Sequence, residues 1–330
     1  MTHPQKEVGP SVLTHAEAVP APVATLAETP EKEEPMLLPM QTLSDAARKR
    51  FALFVNPFDG HVKSDEEMFI NGEIRFIRES CWQAAISGDF LAIVGESGAG
   101  KTTMLDDLKD KVLRERLPLV FVEPSVEGME DTDTKGKSMK VADIHAGIVL
   151  TLDHTASVPQ SSERRSRLVR RMLEESTASG RAHLLVVEEA HALPVPTLNH
   201  LKRLHERMRL GRKNMLGILL LGHPELEKKL SRFDVREVMQ RCKQLRLPPL
   251  GADLSAYLQL RCQSVGRKLD DFITPDGLDE LRSKLMYHGS TEGPVSLLYP
   301  LNVNNWLIAA LNHAAALGAP VVNRDVMRSA

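Results

Sequence analysis

One short segment restricts the fold of this chain more than any other feature. The pattern GxxxxGK[ST] is matched by the run Gly95-Glu96-Ser97-Gly98-Ala99-Gly100-Lys101-Thr102. The run follows the apolar residues Leu91–Val94 and precedes a stretch with helical spacing, Thr103–Leu108, which is the context that a phosphate-binding loop requires. Glycine lets such a loop direct backbone N–H groups inward, and the start of the next helix adds a partial positive charge.

Two side chains of this loop predict the ligand. Lys101 can reach the β and γ phosphates of a nucleotide, and the Thr102 hydroxyl can ligate magnesium. Thr103, the next residue, completes the predicted contact with the nucleotide. The sequence therefore predicts ATP and Mg²⁺ as the bound groups.

Two adjacent carboxylates, Glu188 and Glu189, follow a second apolar run, Leu184–Val187. The pattern resembles a Walker B element. Adjacent side chains of a strand point to opposite sides, so we expect Glu188 to join Thr102 at the metal and Glu189 to activate the attacking water. The first carboxylate of this element is usually Asp, and the longer Glu188 predicts slow hydrolysis.

A third apolar run, Leu216–Leu221, ends in Gly222 and His223. Its position in the chain predicts that His223 orients water near the γ-phosphate. Short apolar runs that alternate with helical segments predict an α/β fold: a parallel sheet with helices on both faces.

Composition divides the chain into three parts. Residues 1–45 are rich in Pro, Ala, Glu and Thr and predict a disordered acidic tail. Residues 46–250 form the predicted nucleotide-binding domain, and the helical spacing of residues 251–330 predicts a small helical lid domain.

The three cysteines show no CxxC pairing and no apolar run approaches membrane-spanning length, which predicts a cytoplasmic protein that does not contact a membrane.

With these elements in order, the chain resembles the AAA+ ATPases of the group that contains phage Mu B-type transposition proteins, transposon target-selection ATPases and ExeA-like secretion ATPases. Besides the phosphate loop and the Glu188-Glu189 strand, the matching segments are Asn56-Pro57-Phe58, Leu221–Leu226, Met239–Cys242 before Leu247–Leu250, and Asn304-Asn305. The resemblance implies a P-loop NTPase fold and places Asn56, Pro57 and Phe58 near the adenine.

The same resemblance implies a homo-oligomer, either a ring or a helical filament, in which an arginine of one subunit reaches the γ-phosphate of the next. Arg241 matches the position of this finger best, with Arg236 and Arg232 close behind. Many relatives carry a second sensing arginine in the lid, and Leu301 occupies that place here.

Charge is unevenly distributed along the chain. Residues 161–247 contain 19 basic and 10 acidic residues, although the net charge of the whole chain is only -2. The basic residues form three groups, which are Arg164, Arg167 and Arg171; Lys202, Arg203, Arg207, Arg209, Arg212 and Lys213; and Lys135, Lys137 and Lys140. Few aromatic residues accompany them, so the pattern favours contact with the backbone of duplex DNA over stacking on single strands.

The sequence thus predicts an ATPase that assembles on duplex DNA without sequence preference and delivers target DNA to a transposase. Two alternatives remain open at this point. One is an ExeA-like ATPase that acts on protein at the cell envelope. The other is a nucleotide-gated scaffold with little turnover, which the residue Glu188 also allows.

Overall fold

The computed structural model describes residues 37–60, 62–124, 138–289 and 293–330. Its strands are β1 (Phe90–Val94), β2 (Leu119–Val122), β3 (Ala182–Val187), β4 (Arg209–Leu210), β5 (Lys213–Asn214), β6 (Gly217–Gly222), β7 (Cys242–Arg246), β8 (Met286–Gly289) and β9 (Gly293–Ser296). Its α-helices are α1 (Asp45–Arg50), α2 (Gly72–Ser87), α3 (Lys101–Glu115), α4 (Val141–Leu152), α5 (Ser162–Ala178), α6 (Val195–Arg207), α7 (Pro224–Leu230), α8 (Arg236–Met239), α9 (Leu254–Gln263), α10 (Pro275–Lys284), α11 (Pro300–Leu317) and α12 (Arg324–Ser329). None of these helices is both long and apolar enough to span a membrane.

Five of the strands form one parallel sheet, in the order β2-β3-β6-β1-β7. Val94 at the end of β1 is level with Gly222 of β6 on one side and with Arg246 of β7 on the other. Every residue of β1 and β6 is buried, as expected for a parallel sheet whose two faces are covered by helices. The predicted α/β architecture is confirmed, and the segments that follow β1, β3 and β6 leave the sheet at one common edge.

The side chains of β1 alternate between two apolar clusters. Phe90 and Val94 belong to the cluster that includes residues of α4, α5 and α6, whereas Leu91 and Ile93 belong to the cluster that includes residues of α2 and α3. Full burial of one such side chain contributes about 1.5–3 kcal/mol. The strand that leads into the phosphate loop is therefore held from both faces.

The C-terminal region consists mainly of α9 to α12 around a third apolar cluster, which contains Phe272, Leu281 and Leu307. This agrees with the predicted helical spacing. The region also contains an antiparallel hairpin, β8 and β9, which the helical prediction did not include.

A segment next to the N-terminal tail packs on the same C-terminal cluster. Leu43 and Ala47 are buried in it. Asn312 of α11 accepts a hydrogen bond from the Ser44 backbone N–H and donates one to the Thr42 carbonyl. The prediction of disorder up to residue 45 is therefore wrong for residues 37–45, because side-chain amides from the far end of the chain satisfy their backbone. Residues 1–36 lie outside the described part of the chain.

Candidate active site

The phosphate-binding loop leaves the end of β1 and enters α3 without a side-chain cap. Gly98 has φ +71° and Gly100 has φ +97°, values that favour glycine. The backbone N–H of Gly95 donates to the Gly222 carbonyl at 3.0 Å, which ties the loop to the end of β6. The sequence therefore forms the turn that the GxxxxGK[ST] pattern predicts, at the edge where the strands end.

Lys101, the first residue of α3, reaches back into this loop. Its Nζ donates to the carbonyl oxygens of Gly95 at 2.7 Å and Glu96 at 3.0 Å. Burial lowers the pKa of Lys101, and the nearby Glu189, Glu96 and Glu225 oppose that shift. The ammonium group thus lies inside the loop, where a phosphate would replace the carbonyl partners.

Glu189 follows the end of β3 in the left-handed conformation, with φ +48° and ψ 34°. A short 3-10 turn, Ala190–Ala192, comes directly after it. Glu189 is exposed and lines the cleft beside the phosphate loop, together with His223. Glu188, the preceding residue, is only half-buried and is not part of the cleft wall within the described residues.

His223 and His191 lie on either side of Glu189. Glu189 Oε2 is 3.7 Å from His223 Nε2 and 3.6 Å from His191 Nδ1. The two imidazole rings meet edge to face, with centroids 4.7 Å apart. Burial, and to a smaller extent His223, lowers the pKa of His191, while Glu189 and Glu225 oppose the shift.

The two histidines can approach because Gly222 has no side chain. A Cβ at Gly222 would lie 3.2 Å from the His191 backbone nitrogen and 2.9 Å from a methyl carbon of Leu226. Lys229 of α7 also donates to the carbonyls of His191 and Leu193. The end of β6 and the turn after β3 are thus held against each other.

A cleft of about 340 Å³ lies between the phosphate loop and the C-terminal region. One wall carries Lys101, Glu189 and His223; other walls carry apolar residues that include Met68 and Leu250. Such a division suits a ligand with an anionic end and a flat, less polar end. The residues also fit a magnesium nucleotide, because Thr102 and the nearby carboxylates offer the oxygen ligands that Mg²⁺ prefers.

Comparison with known proteins agrees with this geometry. Residues 86–230, which span the phosphate loop, the Glu189 turn and His223, match the family model of the AAA domain. A search of curated proteins gives no match.

Solved structures resemble a larger part of the chain. The ORC2 protein of Aeropyrum pernix, solved in ADPNP and ADP complexes, has a TM-score of 0.50 at 18% identity, over 83% of this chain and 70% of its own. Cdc6p of Pyrobaculum aerophilum has a TM-score of 0.48 at 13% identity, over 79% and 68%. The RuvB Holliday junction branch migration motor of Thermotoga maritima has 0.46 at 15%, over 82% and 71%. The likeness to ORC2 shows a shared fold.

The segment expected near the adenine, residues 56–58, does not line the cleft. Asn56 and Pro57 line a neighbouring cavity, and Phe58 is buried in the C-terminal cluster. The cleft beside the phosphate loop is instead lined by the residues that come next, among them Met68 and Phe69. Arg261 of α9 lines both cavities, and its Nε donates to the Pro57 carbonyl at 2.8 Å.

The three arginines considered as fingers lie outside the cleft of their own subunit. Arg241 is exposed, and its Nη2 is 3.1 Å from Glu206 Oε1. Arg232 pairs with Asp234 at 2.9 Å. Arg236 lies over the exposed ring of Phe233, with its guanidinium carbon 4.1 Å from the ring centroid. An arginine that acts in a neighbouring subunit must be exposed in this way.

The structure separates the predicted basic groups. On α5, Arg167 pairs with Glu163 at 2.7 Å and Arg171 approaches Glu175 at 3.8 Å. Lys202 of α6 contacts two carboxylates, those of Glu206 and Glu237. The residues of these groups that are exposed and form no ion pair with a described residue include Arg164 of α5 and, at the end of α6 and on the β4–β5 hairpin, Arg203, Arg207, Arg209, Arg212 and Lys213. Lys135 and Lys137 lie outside the described residues.

His191 is the residue of this site to which sequence reasoning assigned no role. Its spacing from Glu189 was a usable signal, because side chains that are two residues apart on a tight turn can project to the same side. The left-handed backbone of Glu189, which turns the chain in this way, is unusual for a residue other than glycine and has no reliable sequence signature.

Proposed function

We propose that this AAA domain binds ATP with Mg²⁺ and hydrolyses it in the cleft described above. The observation that carries this proposal is that the phosphate loop with Lys101 and the pair Glu189 and His223 converge on one cleft from three different strand ends. A glycine-rich turn alone does not form a reaction site. Here three polar elements, which follow three different strands, meet at one cleft and together can form such a site.

Each residue has a role that its position supports. Lys101 neutralises charge on the β and γ phosphates, and the backbone N–H groups of the loop hold the same oxygens. Glu189 accepts a proton from the attacking water, and His223, 3.7 Å away, orients that water. Bound magnesium supplies positive charge at the phosphates, with Thr102 and Glu188 as its proposed ligands.

A binding and turnover assay on the full chain tests this proposal. We expect tight binding of a fluorescent ATP analogue that requires Lys101, and release of phosphate that requires Glu189. Phosphate release at the same rate in Glu189→Gln would contradict the assigned base. Binding without measurable turnover would instead favour a nucleotide-gated scaffold, consistent with Glu188 at a position usually occupied by Asp.

We further propose that the protein assembles on duplex DNA and contacts its phosphate backbone. The support comes from one surface, the hairpin surface, formed by Arg203, Arg207, Arg209, Arg212 and Lys213. All five side chains are exposed and none forms an ion pair with a described residue. Phosphate contacts made by such unpaired cations depend strongly on salt and little on sequence.

The hairpin is a suitable carrier for these charges. Gly211, with φ +59°, turns the chain between β4 and β5, and the hairpin precedes β6, which is followed directly by His223. A short connection between the hairpin and the cleft provides a route by which nucleotide state and DNA contact can influence each other. Delivery of the bound DNA to a transposase is proposed from the resemblance of the sequence alone.

DNA binding is tested by fluorescence anisotropy with labelled duplexes of unrelated sequence. We expect affinity to rise with ATP, because assembly lets weak contacts act together. We also expect log affinity to fall linearly with log salt concentration, with a slope of about -0.9 per phosphate contact. Replacing Arg207, Arg209 and Arg212 by Ala should reduce that slope for every sequence.

The matched control is the triple replacement of Arg164, Arg167 and Arg171 by Ala, which removes the same charge from α5. Its smaller expected effect follows from the ion pairs of Arg167 and Arg171 within that helix. Equal effects of the two triple variants would contradict the hairpin surface. Absence of ATP-dependent binding at low salt would favour the ExeA-like alternative, in which the partner is a protein.

A further inference from the structure

Two side chains of the cleft wall, Glu189 and His223, form a cluster with the neighbouring His191 that has the composition of a metal site. The ligand atoms of Glu189, His191 and His223 all lie within 4.8 Å of one another. Two of the separations, both measured from Glu189 Oε2, are 3.6 Å and 3.7 Å. Nitrogen and oxygen ligands lie about 2.0–2.2 Å from zinc, so two ligands of one tetrahedral ion are about 3.4 Å apart. Small side-chain rotations therefore bring this cluster to the ion.

We propose that Glu189, His191 and His223 bind a divalent transition-metal ion such as Zn²⁺, and that the bound ion inhibits ATP hydrolysis. The inhibition rests on the proposed ATPase, whereas the binding does not. Two imidazoles and one carboxylate suit zinc and its neighbours in the transition series, while magnesium prefers oxygen ligands only. The site is thus chemically distinct from the magnesium position proposed for Thr102 and Glu188.

The fold arranges the three ligands before any ion binds. The left-handed backbone of Glu189 and the 3-10 turn after it bring Glu189 and His191 to the same side. Gly222 lets the end of β6 approach the His191 backbone, which sets the edge-to-face contact of the two rings. Lys229 fixes the turn through hydrogen bonds to the carbonyls of His191 and Leu193. The turn therefore loses little conformational entropy when a metal binds.

The surroundings allow an ion to enter and keep one coordination position open. The side chains of His191 and His223 are 26% and 27% exposed, and that of Glu189 is 52% exposed. Three protein ligands with solvent access are typical of zinc sites that keep a water or a substrate atom in the fourth position. The ammonium groups of Lys101 and Lys229, which interact electrostatically with Glu189 and His191 respectively, donate to backbone carbonyls.

Inhibition follows from the double use of Glu189. A carboxylate oxygen that donates its lone pair to a metal ion cannot accept the proton of the attacking water. His223, which is proposed to orient that water, is occupied in the same way. The ion therefore removes two groups from the reaction while leaving the phosphate loop and Lys101 in place for ATP.

Metal binding is measured on the full chain without nucleotide, with Co²⁺ as a spectroscopic substitute for zinc. We expect visible absorption bands of tetrahedral or five-coordinate cobalt to saturate at one ion per chain, and zinc to displace them. His191→Ala should weaken binding by about 100-fold or more, since losing a supporting hydrogen bond alone costs roughly 10- to 100-fold. The matched control is His154→Ala, because His154 is exposed and lies outside the cluster.

Inhibition is measured as the ratio of ATPase rates with and without zinc, at free zinc concentrations set by a metal buffer because ATP itself binds zinc. The ratio should fall in the wild type and in His154→Ala but stay near one in His191→Ala. If circular dichroism shows that His191→Ala is unfolded, His191→Asn and Glu189→Gln serve in the cobalt titration.

The two proposals fail in different ways. Cobalt binding that is the same in wild type and in the cluster variants overturns the metal site, whatever the ATPase rate is. Cobalt binding that depends on all three residues in a chain without ATPase activity supports the site and overturns the proposed hydrolysis. Equal zinc inhibition of wild type and His191→Ala overturns the assigned route of inhibition.

Discussion

His145 offers a test of the packing between the helices that cover the sheet. The side chain lies on α4 and is 3% exposed, and neither ring nitrogen has a hydrogen-bond partner among the described residues. It faces His200 of α6, with the ring centroids 5.5 Å apart, and Arg165 of α5 also acts on it electrostatically. Burial, followed by His200 and Arg165, lowers the pKa of His145 from 6.5 to about 4.

This pKa shift determines the sign and size of a pH effect on stability. The unfolded chain binds a proton at His145 as the pH falls below 6.5, while the folded chain resists it down to about 4. The contribution of neutral His145 to the free energy of unfolding is therefore fully present above pH 6.5 and is lost as the pH falls toward 4. The full difference is about 3 kcal/mol, of which about 2 kcal/mol is lost between pH 7.5 and pH 5.

The perturbation is His145→Leu, which keeps the volume of the side chain and removes the titrating group. Urea unfolding at several pH values measures the free energy of unfolding of both proteins. We expect the free energy of unfolding of the variant, relative to that of wild type, to rise by about 2 kcal/mol from pH 7.5 to pH 5. His183, His200 and His205 also have lowered pKa values, so only the difference between the two proteins is informative.

Two further variants complete the test. His154→Gln replaces an exposed histidine and should show the wild-type pH dependence. His145→Gln keeps a polar group at the buried position without a titrating ring, and it replaces His145→Leu if that protein does not fold. Parallel curves for wild type and both His145 variants would refute the reasoning, because they would show that His145 is protonated in the folded chain as readily as in the unfolded one.

The remaining predictions concern the cleft and the subunit interface. Lys101→Ala should abolish ATP binding in a fluorescence titration, because only Lys101 supplies a positive charge within the loop, and unchanged affinity would contradict that role. Glu189→Gln should keep ATP affinity and reduce turnover by about 100-fold or more, whereas an equal loss of affinity would indicate a structural role. A mixture of Arg241→Ala and Lys101→Ala proteins should regain turnover that neither has alone, and a co-assembled but inactive mixture would place Arg241 within its own subunit. Gly98→Ala should lower the free energy of unfolding more than Gly100→Ala in urea titrations, because both glycines have positive φ but only a Cβ at Gly98 would meet Leu301, at 2.1 Å; equal losses would show that Leu301 moves aside.

The elements of the sheet could be predicted because their signals are local. The apolar run Leu184–Val187 lies within β3, and the run Leu216–Leu221 matches β6 to within one residue at each end. Buried parallel strands are short and continuously apolar, and glycines mark the turns that follow them. The phosphate loop was predictable for the same reason, since motif and context lie within one contiguous stretch.

Features that depend on distant contacts could not be predicted in this way. Residues 37–45 have the composition of a tail, yet Asn312 and Asn305 of α11 bond to their backbone from more than 260 positions away. The Glu189 turn depends on the approach of Gly222 and on Lys229, which belong to other elements. Composition and spacing carry no information about such partners.

The distribution of basic charge lies between these two cases. The ion pairs of α5 were visible in the sequence, because Glu163 and Arg167 are four residues apart, as are Arg171 and Glu175. The contact between Lys202 and Glu237 was not, because it joins α6 to α8. Once both kinds of pair are removed, Arg164 remains on α5, and the five cations of the hairpin surface remain at the end of α6 and on the β4–β5 hairpin.

Leu301 indicates how the C-terminal region can respond to the nucleotide. It is the second residue of α11, its backbone N–H faces the Gly98 carbonyl at 3.4 Å, and its side chain packs on the phosphate loop. An arginine at this place would sense the charge of the γ-phosphate, whereas an apolar side chain senses only the position of the loop. On the proposed function, distinction between ATP and ADP would therefore depend on the polar wall of the cleft, and above all on Lys101 and Glu189. The helix α11 would then respond to the position of the loop and not to the charge of the phosphates.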